Sequence, residues 1–279
     1  MGTQEINSED RHLDVDGIRS HVRISGAGPT LVLIHGLGGP LMWQKVTEPL
    51  SAHFQVITID LPGFGDSASP GRHFSTSDHA DFVSHCLNRL NCESINLCGI
   101  SYGGQIAAML ASRHPTIVKK LILIASTGLM EQPLMFRNDL LWATLKAIIK
   151  NTVLRSEALM CKMGTRSFYY IHNRPIDLCA RFFAQLQSNG QRDAWLDSFF
   201  NVFSEKETIA GILPLINAPT LIVWGENDDT VPLQFAEEFH RTIIGSSLVR
   251  YKECGHSVPL EKPVELAGDI ITFCKSAAG

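Results

Sequence analysis

The sequence predicts an α/β fold, with a mostly parallel central sheet covered by helices and one helical insertion. Three observations predict it. Short runs rich in Val, Ile and Leu recur along the chain, and stretches with helical spacing separate them. One long region, from about Leu129 to Leu213, carries helical stripes and no strand-type run. Strands buried on both faces read as continuous apolar runs, as a parallel sheet between helix layers requires. The predicted organisation is a core of residues 1–128 and 214–279, interrupted by a helical subdomain at 129–213.

The elements follow in order. "GIRSHVRIS" (Gly17 to Ser25) alternates apolar and polar residues, as a half-exposed strand does. "TLVLIHG" (Thr30 to Gly36) is continuously apolar and ends in glycine. "FQVITIDLPG" from Phe54, "SINLCGIS" from Ser94, "VKKLILIAS" from Val118 and "PTLIVWGEND" from Pro219 repeat that form. Between them, "TSDHADFVSHCLNRL" starts at a Ser or Thr cap and spaces Phe82, Val83, Leu87 and Leu90 as one helical face. "GGQIAAMLASRH" is Ala-rich and stops before Pro115, where a helix cannot easily continue. In the insertion, "LLWATLKAII", "CARFFAQLQ" and "AWLDSFFNVF" are broad apolar stripes. Some of their side chains are expected to face a cleft, with Trp142, Phe183 and Trp195 chosen as substrate contacts.

Composition bounds the function. With 279 residues, 44% hydrophobic and 19% charged, the chain can bury a large core. A formal net charge of −4 without a basic stripe argues against a nucleic-acid partner. No apolar run reaches the length of about 18 residues that a membrane span needs. The polar N-terminus "MGTQEINSEDRHLD" lacks an apolar signal core, so a cytoplasmic location is expected. Seven cysteines, an odd number with no C-x-x-C pair, read as thiols in a reducing compartment. The 11 histidines show no metal-ligand spacing, so neither a metal nor another cofactor is expected. A small-molecule substrate is the expected partner, and a homo-oligomer is left open.

The chemistry centres on "GISYGG", Gly99 to Gly104. Ser101 falls between a buried strand and the start of a helix, in a turn too tight for ordinary side chains beside it. A serine hydroxyl is barely ionised at neutral pH, so it needs a base, an acid to orient the base, and donors for the developing oxyanion. The Tyr102 amide, at the helix start, supplies one donor. The low-bulk loop His35-Gly36-Leu37-Gly38-Gly39 supplies the other through the Leu37 amide, with Gly36 and Gly38 beside the substrate. The loop lacks the lysine and spacing of a phosphate loop and the pattern of a dinucleotide fingerprint. Downstream, "WGENDDTVP" offers Glu226, Asp228 and Asp229 at a strand end, and "YKECGHSVPLEKP" carries His256 in a loop. Serine, acid and histidine thus follow in that chain order. Cys254, two residues before His256, is read as a small half-buried residue and not as a catalytic thiol.

The segments "HGLGG", "DLPGFGDS", "GISYGG", "WGENDDTVP" and "GHSVPLEKP" together resemble the α/β-hydrolase superfamily, over roughly residues 12 to 275. The resemblance implies an α/β-hydrolase fold whose helical insertion is a cap over the active site. It also implies a catalytic set of Ser101, Asp228 and His256, because Asp228 fits the pattern G-x-x-D-x-x-x-P from Gly225 to Pro232. His35 matches the family's His-Gly pair and is expected to brace the oxyanion loop. "DLPGFGDS", Asp60 to Ser67, matches the loop after the fourth strand that shapes the site entrance. Serine at the elbow disfavours members that need aspartate there. The expected activity is a serine hydrolase acting through an acyl-enzyme on a small or medium, largely apolar ester, lactone or thioester. The alternatives are a C–C bond hydrolase of aromatic degradation, many of which carry tryptophan where this chain has Ser257, and a non-enzymatic ligand-binding protein on the same fold.

Overall fold

Eight strands form a single sheet in the order β1-β2-β4-β3-β5-β6-β7-β8 in the computed structural model, which describes residues 7–170 and 177–276. The N-terminal hexapeptide, the last three residues and residues 171–176 of the predicted insertion lie outside the described residues. The strands are β1 (Ser8–Val15), β2 (Ile18–Ser25), β3 (Thr30–Ile34), β4 (Gln55–Ile59), β5 (Ile95–Ile100), β6 (Val118–Ile124), β7 (Thr220–Gly225) and β8 (Ser247–Tyr251). β1 and β2 form a hairpin, and β2 pairs antiparallel with β4; every other pairing is parallel. The hairpin turns through Asp16 and Gly17, both at positive φ, the Asp-Gly signature of a turn whose twist matches that of the strands.

Helices cover the sheet. In the core they are α1 (Thr47–Ser51), α2 (Thr76–Arg89) and α3 (Tyr102–Arg113). α2 starts on a capping box in which Ser75 and Asp78 satisfy each other's backbone amides. The insertion adds α4 (Asp139–Asn151), α5 (Glu157–Gly164), α6 (Leu178–Ala184), α7 (Asn189–Ser204) and α8 (Lys206–Ile212). The core then closes with α9 (Gln234–Thr242), α10 (Val258–Glu261) and α11 (Pro263–Lys275). α1 packs on α11 and α2 on α3, while β5 and β7 are buried along their whole length. Burial of both strand faces explains the Leu221-Ile222-Val223-Trp224 run of β7 and the lack of any charged residue in β5.

Two strands escape the sequence pattern. β1 is exposed at six of its eight positions, and β8 keeps no fully buried residue. Both are sheet edges, where one partner and little burial suffice, so neither carries a continuous apolar run. The insertion behaves differently. From Leu134 to Leu215 every described element is helical, and β6 still pairs directly with β7, from Leu121↔Thr220 to Ile124↔Val223. The sheet therefore runs on beneath the inserted helices. Among the described residues no helix is long and apolar enough to cross a membrane.

Candidate active site

Ser101 sits at the junction of β5 and α3 with φ 56° and ψ −123°. A β-substituted residue held at positive φ costs on the order of 1–3 kcal/mol. The surrounding hydrogen bonds hold it there: the Ser101 amide donates to the Ile124 carbonyl at 2.9 Å, and its own carbonyl accepts from Gly104 at 2.9 Å and Thr127 at 3.1 Å. The flanking glycines are required by close approach. A Cβ on Gly99 would lie 2.2 Å from the Gly103 carbonyl oxygen, and one on Gly103 would lie 2.2 Å from that of Ile34. Strand β3 and helix α3 could not come this close around the serine with any side chain at those positions.

The loop after β3 lies against this elbow. A Cβ on Gly36 would stand 2.9 Å from the Ser101 Cβ and 3.3 Å from the Tyr102 nitrogen. Tyr102 heads α3, where first-turn amides have no acceptor within the helix. The Gly36–Leu37 peptide is pinned at its oxygen, which accepts from His35 Nδ1 at 2.8 Å and from the Gly39 amide at 3.0 Å. His35 Nε2 accepts from the Leu61 amide at 3.1 Å. His35 is therefore the Nδ1-protonated neutral tautomer, and burial holds its pKa below the usual histidine value. The next carbonyl, of Leu37, accepts from Trp195 Nε1 of α7 at 3.1 Å. Core and insertion thus both hold the loop that carries the Leu37 amide.

On the other side, the ends of β7 and β8 bring acid and base together. His256 Nδ1 lies 2.7 Å from Asp228 Oδ2, with both residues buried. The second Asp228 oxygen accepts from the Thr230 and Val231 amides, each at 2.8 Å. These bonds fix the carboxylate and leave His256 Nε2 for chemistry. Asp229 is placed differently, on the cavity wall. The histidine loop is clamped by Glu261, whose carboxylate accepts from Gly255 at 3.0 Å and from Tyr169 of the insertion at 2.8 Å. Burial pushes the Cys254 thiol well up, so it is no thiolate nucleophile.

Ser101 and His256 open into a cavity of about 390 Å³. Its walls from the insertion include Met160, Phe168, Leu178, Phe182, Trp195 and Phe199. Gly36, Leu37 and Gly38 line it from the core. Asp228 stands behind His256, and the Tyr102 side chain lies beneath the elbow, its hydroxyl accepting from Asn201 Nδ2 of α7 at 2.9 Å. Two expected substrate contacts are not among the lining residues. Trp142 stacks on Phe200 at 5.0 Å and edge-on to Phe136, a cluster within the insertion. Phe183 is partly buried against other apolar side chains, and its neighbour Phe182 lines the cavity in its place. Met42, Met160 and Phe168 line the cavity without having stood out in the sequence; Met42 had a signal, being just past the glycine loop. The "DLPGFGDS" loop does not line the cavity. Asp60 accepts there from the Asp66 amide and from His21 Nδ1, each at 2.9 Å, tying the loop to β2.

The arrangement can deliver a proton-accepting imidazole, a strained hydroxyl and helix-start amides to one apolar chamber. Comparison with known proteins identifies the family. The family described as alpha/beta hydrolase fold matches residues 29–263. The 2-hydroxymuconate semialdehyde hydrolase of Pseudomonas sp. strain CF600 is 28% identical over 282 residues, covering 96% of this chain and 95% of that protein. The pimeloyl-[acyl-carrier protein] methyl ester esterase of Vibrio vulnificus strain YJ016 is 26% identical, covering 91% and 97%. Among solved structures, an enol-lactonase from Burkholderia xenovorans LB400 superposes with a TM-score of 0.82 at 22% identity, covering 95% of this chain and all (100%) of that one. With 235 consecutive positions, residues 29–263, matched by the family, the chain belongs to the alpha/beta hydrolase fold family.

Proposed function

We propose that the chain is a serine hydrolase that cleaves small or medium, largely apolar esters, lactones or thioesters through an acyl-enzyme. One observation carries this: a positive-φ Ser101 shares an apolar cavity with His256, which is bonded to a buried carboxylate at 2.7 Å. His256 Nε2 takes the Ser101 proton as Oγ attacks the substrate carbonyl. The Leu37 and Tyr102 amides stabilise the oxyanion, each worth about 3 kcal/mol or more. Collapse expels the alcohol or thiol, protonated by His256, and leaves the acyl group on Ser101. Water, deprotonated by His256, then releases the acid. Residues 129–213 act as the cap that sets substrate size, and the buried thiols Cys86, Cys98 and Cys254 suit a reducing cytoplasm.

The relative that hydrolyses a semialdehyde supports a second reading, cleavage of a C–C bond. Here Ser257 follows the histidine and lines the cavity, so a small hydroxyl replaces the expected ring. Labelling by a fluorophosphonate probe tests the shared core of both readings. Ser101→Ala should abolish labelling and lower ester turnover by on the order of 10⁴-fold with the fold intact. Wild-type kcat in that variant would reject Ser101 as the nucleophile, and folded wild-type protein that takes up no probe would favour a ligand-binding role. Parallel rates on butyryl esters, lactones and a ring-cleavage product separate the two reactions.

A further inference from the structure

The insertion carries an outer surface that the reaction does not use. Among the described residues, nine of the twelve large apolar side chains that stand exposed fall between Leu134 and Tyr170. α4 buries none of its residues. Its Leu140, Leu141 and Ile148, exposed by 78%, 51% and 53%, share one side of the helix. On α5, Leu159 and Met163 are exposed one turn apart, with Lys162 between them and Arg155 and Arg166 beyond either end.

Charge follows the same segment. Residues 134–170 hold six Lys and Arg against two Asp and Glu, a balance of +4 in a chain of −4. Lys146 and Lys150 are spent on Asp197 and Asp193. Arg155, Lys162 and Arg166 pair with no carboxylate among the described residues. The surface also reaches the cavity: Met163 and Arg166, both exposed, are among its lining residues.

We infer that the outer face of α4 and α5 docks on an anionic lipid surface and presents the cavity mouth to amphiphilic acyl esters held there. Apolar side chains interleaved with cations meet both parts of such a surface, acyl chains and anionic headgroups. Long cationic side chains reach the headgroups while their stems lie along the apolar layer. A second copy fits less well, because a two-fold contact sets a patch against itself and would oppose Arg155, Lys162 and Arg166 to their own kind. The docking does not depend on the proposed hydrolase chemistry; the substrate class rests on it.

Docking is read by co-sedimentation of the Ser101→Ala protein with vesicles, so that no turnover intrudes. Phosphatidylcholine vesicles are compared with vesicles of phosphatidylcholine mixed with phosphatidylglycerol. The protein should partition onto the mixed vesicles, less so at high salt, and adding Leu159→Ser and Lys162→Glu should cut partitioning roughly tenfold or more. In an otherwise wild-type chain those two changes should leave turnover of a soluble butyryl ester unaltered. They should remove the gain in rate that mixed vesicles give to a bilayer-dissolved ester. Folded protein that ignores the mixed vesicles, or a double variant that binds them equally, overturns the docking. A wild-type dimer that the double variant dissolves assigns the face to a second copy and overturns it too. Retained docking without probe labelling of Ser101 removes only the hydrolase reading.

Discussion

Trp195→Phe isolates one bond between the insertion and the loop proposed to stabilise the oxyanion. The Trp195 ring is 4% exposed and stacks on Phe199 at 5.4 Å with the planes 7° apart. Phenylalanine keeps most of that stacking and removes only the Nε1–H that donates to the Leu37 carbonyl at 3.1 Å. A neutral hydrogen bond contributes a net ~0.5–1.5 kcal/mol, which is a factor of about 2 to 13 in a rate constant. The destination of that factor is informative. The oxyanion exists only in the transition state, so a loop that orients the Leu37 amide should show its loss in kcat. A residue acting only as a wall of the cavity should raise KM and spare kcat. The assay is steady-state hydrolysis of a soluble butyryl ester, with the rate of phosphonate labelling alongside. Wild-type kcat and labelling rate in Trp195→Phe would refute the reasoning and leave Trp195 as packing.

Asp228→Asn should lower kcat by on the order of 10²–10⁴-fold, because the amide no longer holds the His256 Nδ1–H tautomer, while Asp229→Asn should cost little; the reverse ranking would move the acid one residue along. For acyl length, each CH₂ buried in the cavity is worth about 0.8 kcal/mol, so butyryl and hexanoyl esters should exceed acetyl in kcat/KM, and faster acetyl turnover would refute an apolar acyl site. Stability should fall on acidification through His79, which burial holds at a pKa of about 3 against the ordinary 6.5. Below pH 6.5 the unfolded chain takes up a proton that the folded one refuses, costing up to about 1.4 kcal/mol per pH unit until the folded pKa is reached; urea melts of His79→Phe should show a shallower loss, and an identical slope would refute it.

Much of the machinery was legible because backbone geometry dictates it. Gly99 and Gly103 stand where any Cβ would meet a carbonyl at 2.2 Å, so the residues around Ser101 have almost no freedom. The same holds for Gly36 against the elbow. The central strands announce themselves because burial on two faces favours apolar side chains at most positions, as in Leu121 to Ile124 of β6. β1 and β8 face weaker demands, and their sequences carry weaker patterns. The acid was open among Glu226, Asp228 and Asp229 until a family pattern selected one, since a turn's carboxylates differ only in where the turn points them. Asp228 is fixed by two backbone amides at 2.8 Å, a local bond pattern that residue type does not reveal.

The cavity wall obeys a different logic. Spacing says which side chains of a helix travel together, and packing decides which stripe faces the cleft. On α7, Trp195 and Phe199 are four residues apart, stack on each other and share the cavity. Phe200, rotated by about 100° from Phe199, meets Trp142 instead. Once Trp195 is placed at the cavity, Phe199 follows by arithmetic, and Phe200 and Trp142 leave together. α6 gives the same lesson, with Phe182 lining the cavity and Phe183 away from it. One orientation per helix is therefore the missing quantity. The hydrogen bond from Trp195 to Leu37 supplies it for α7, which ties the cavity wall to the loop proposed to stabilise the oxyanion. A change that rotates α7 should alter acyl preference and kcat together, whereas a change confined to α4 should alter neither.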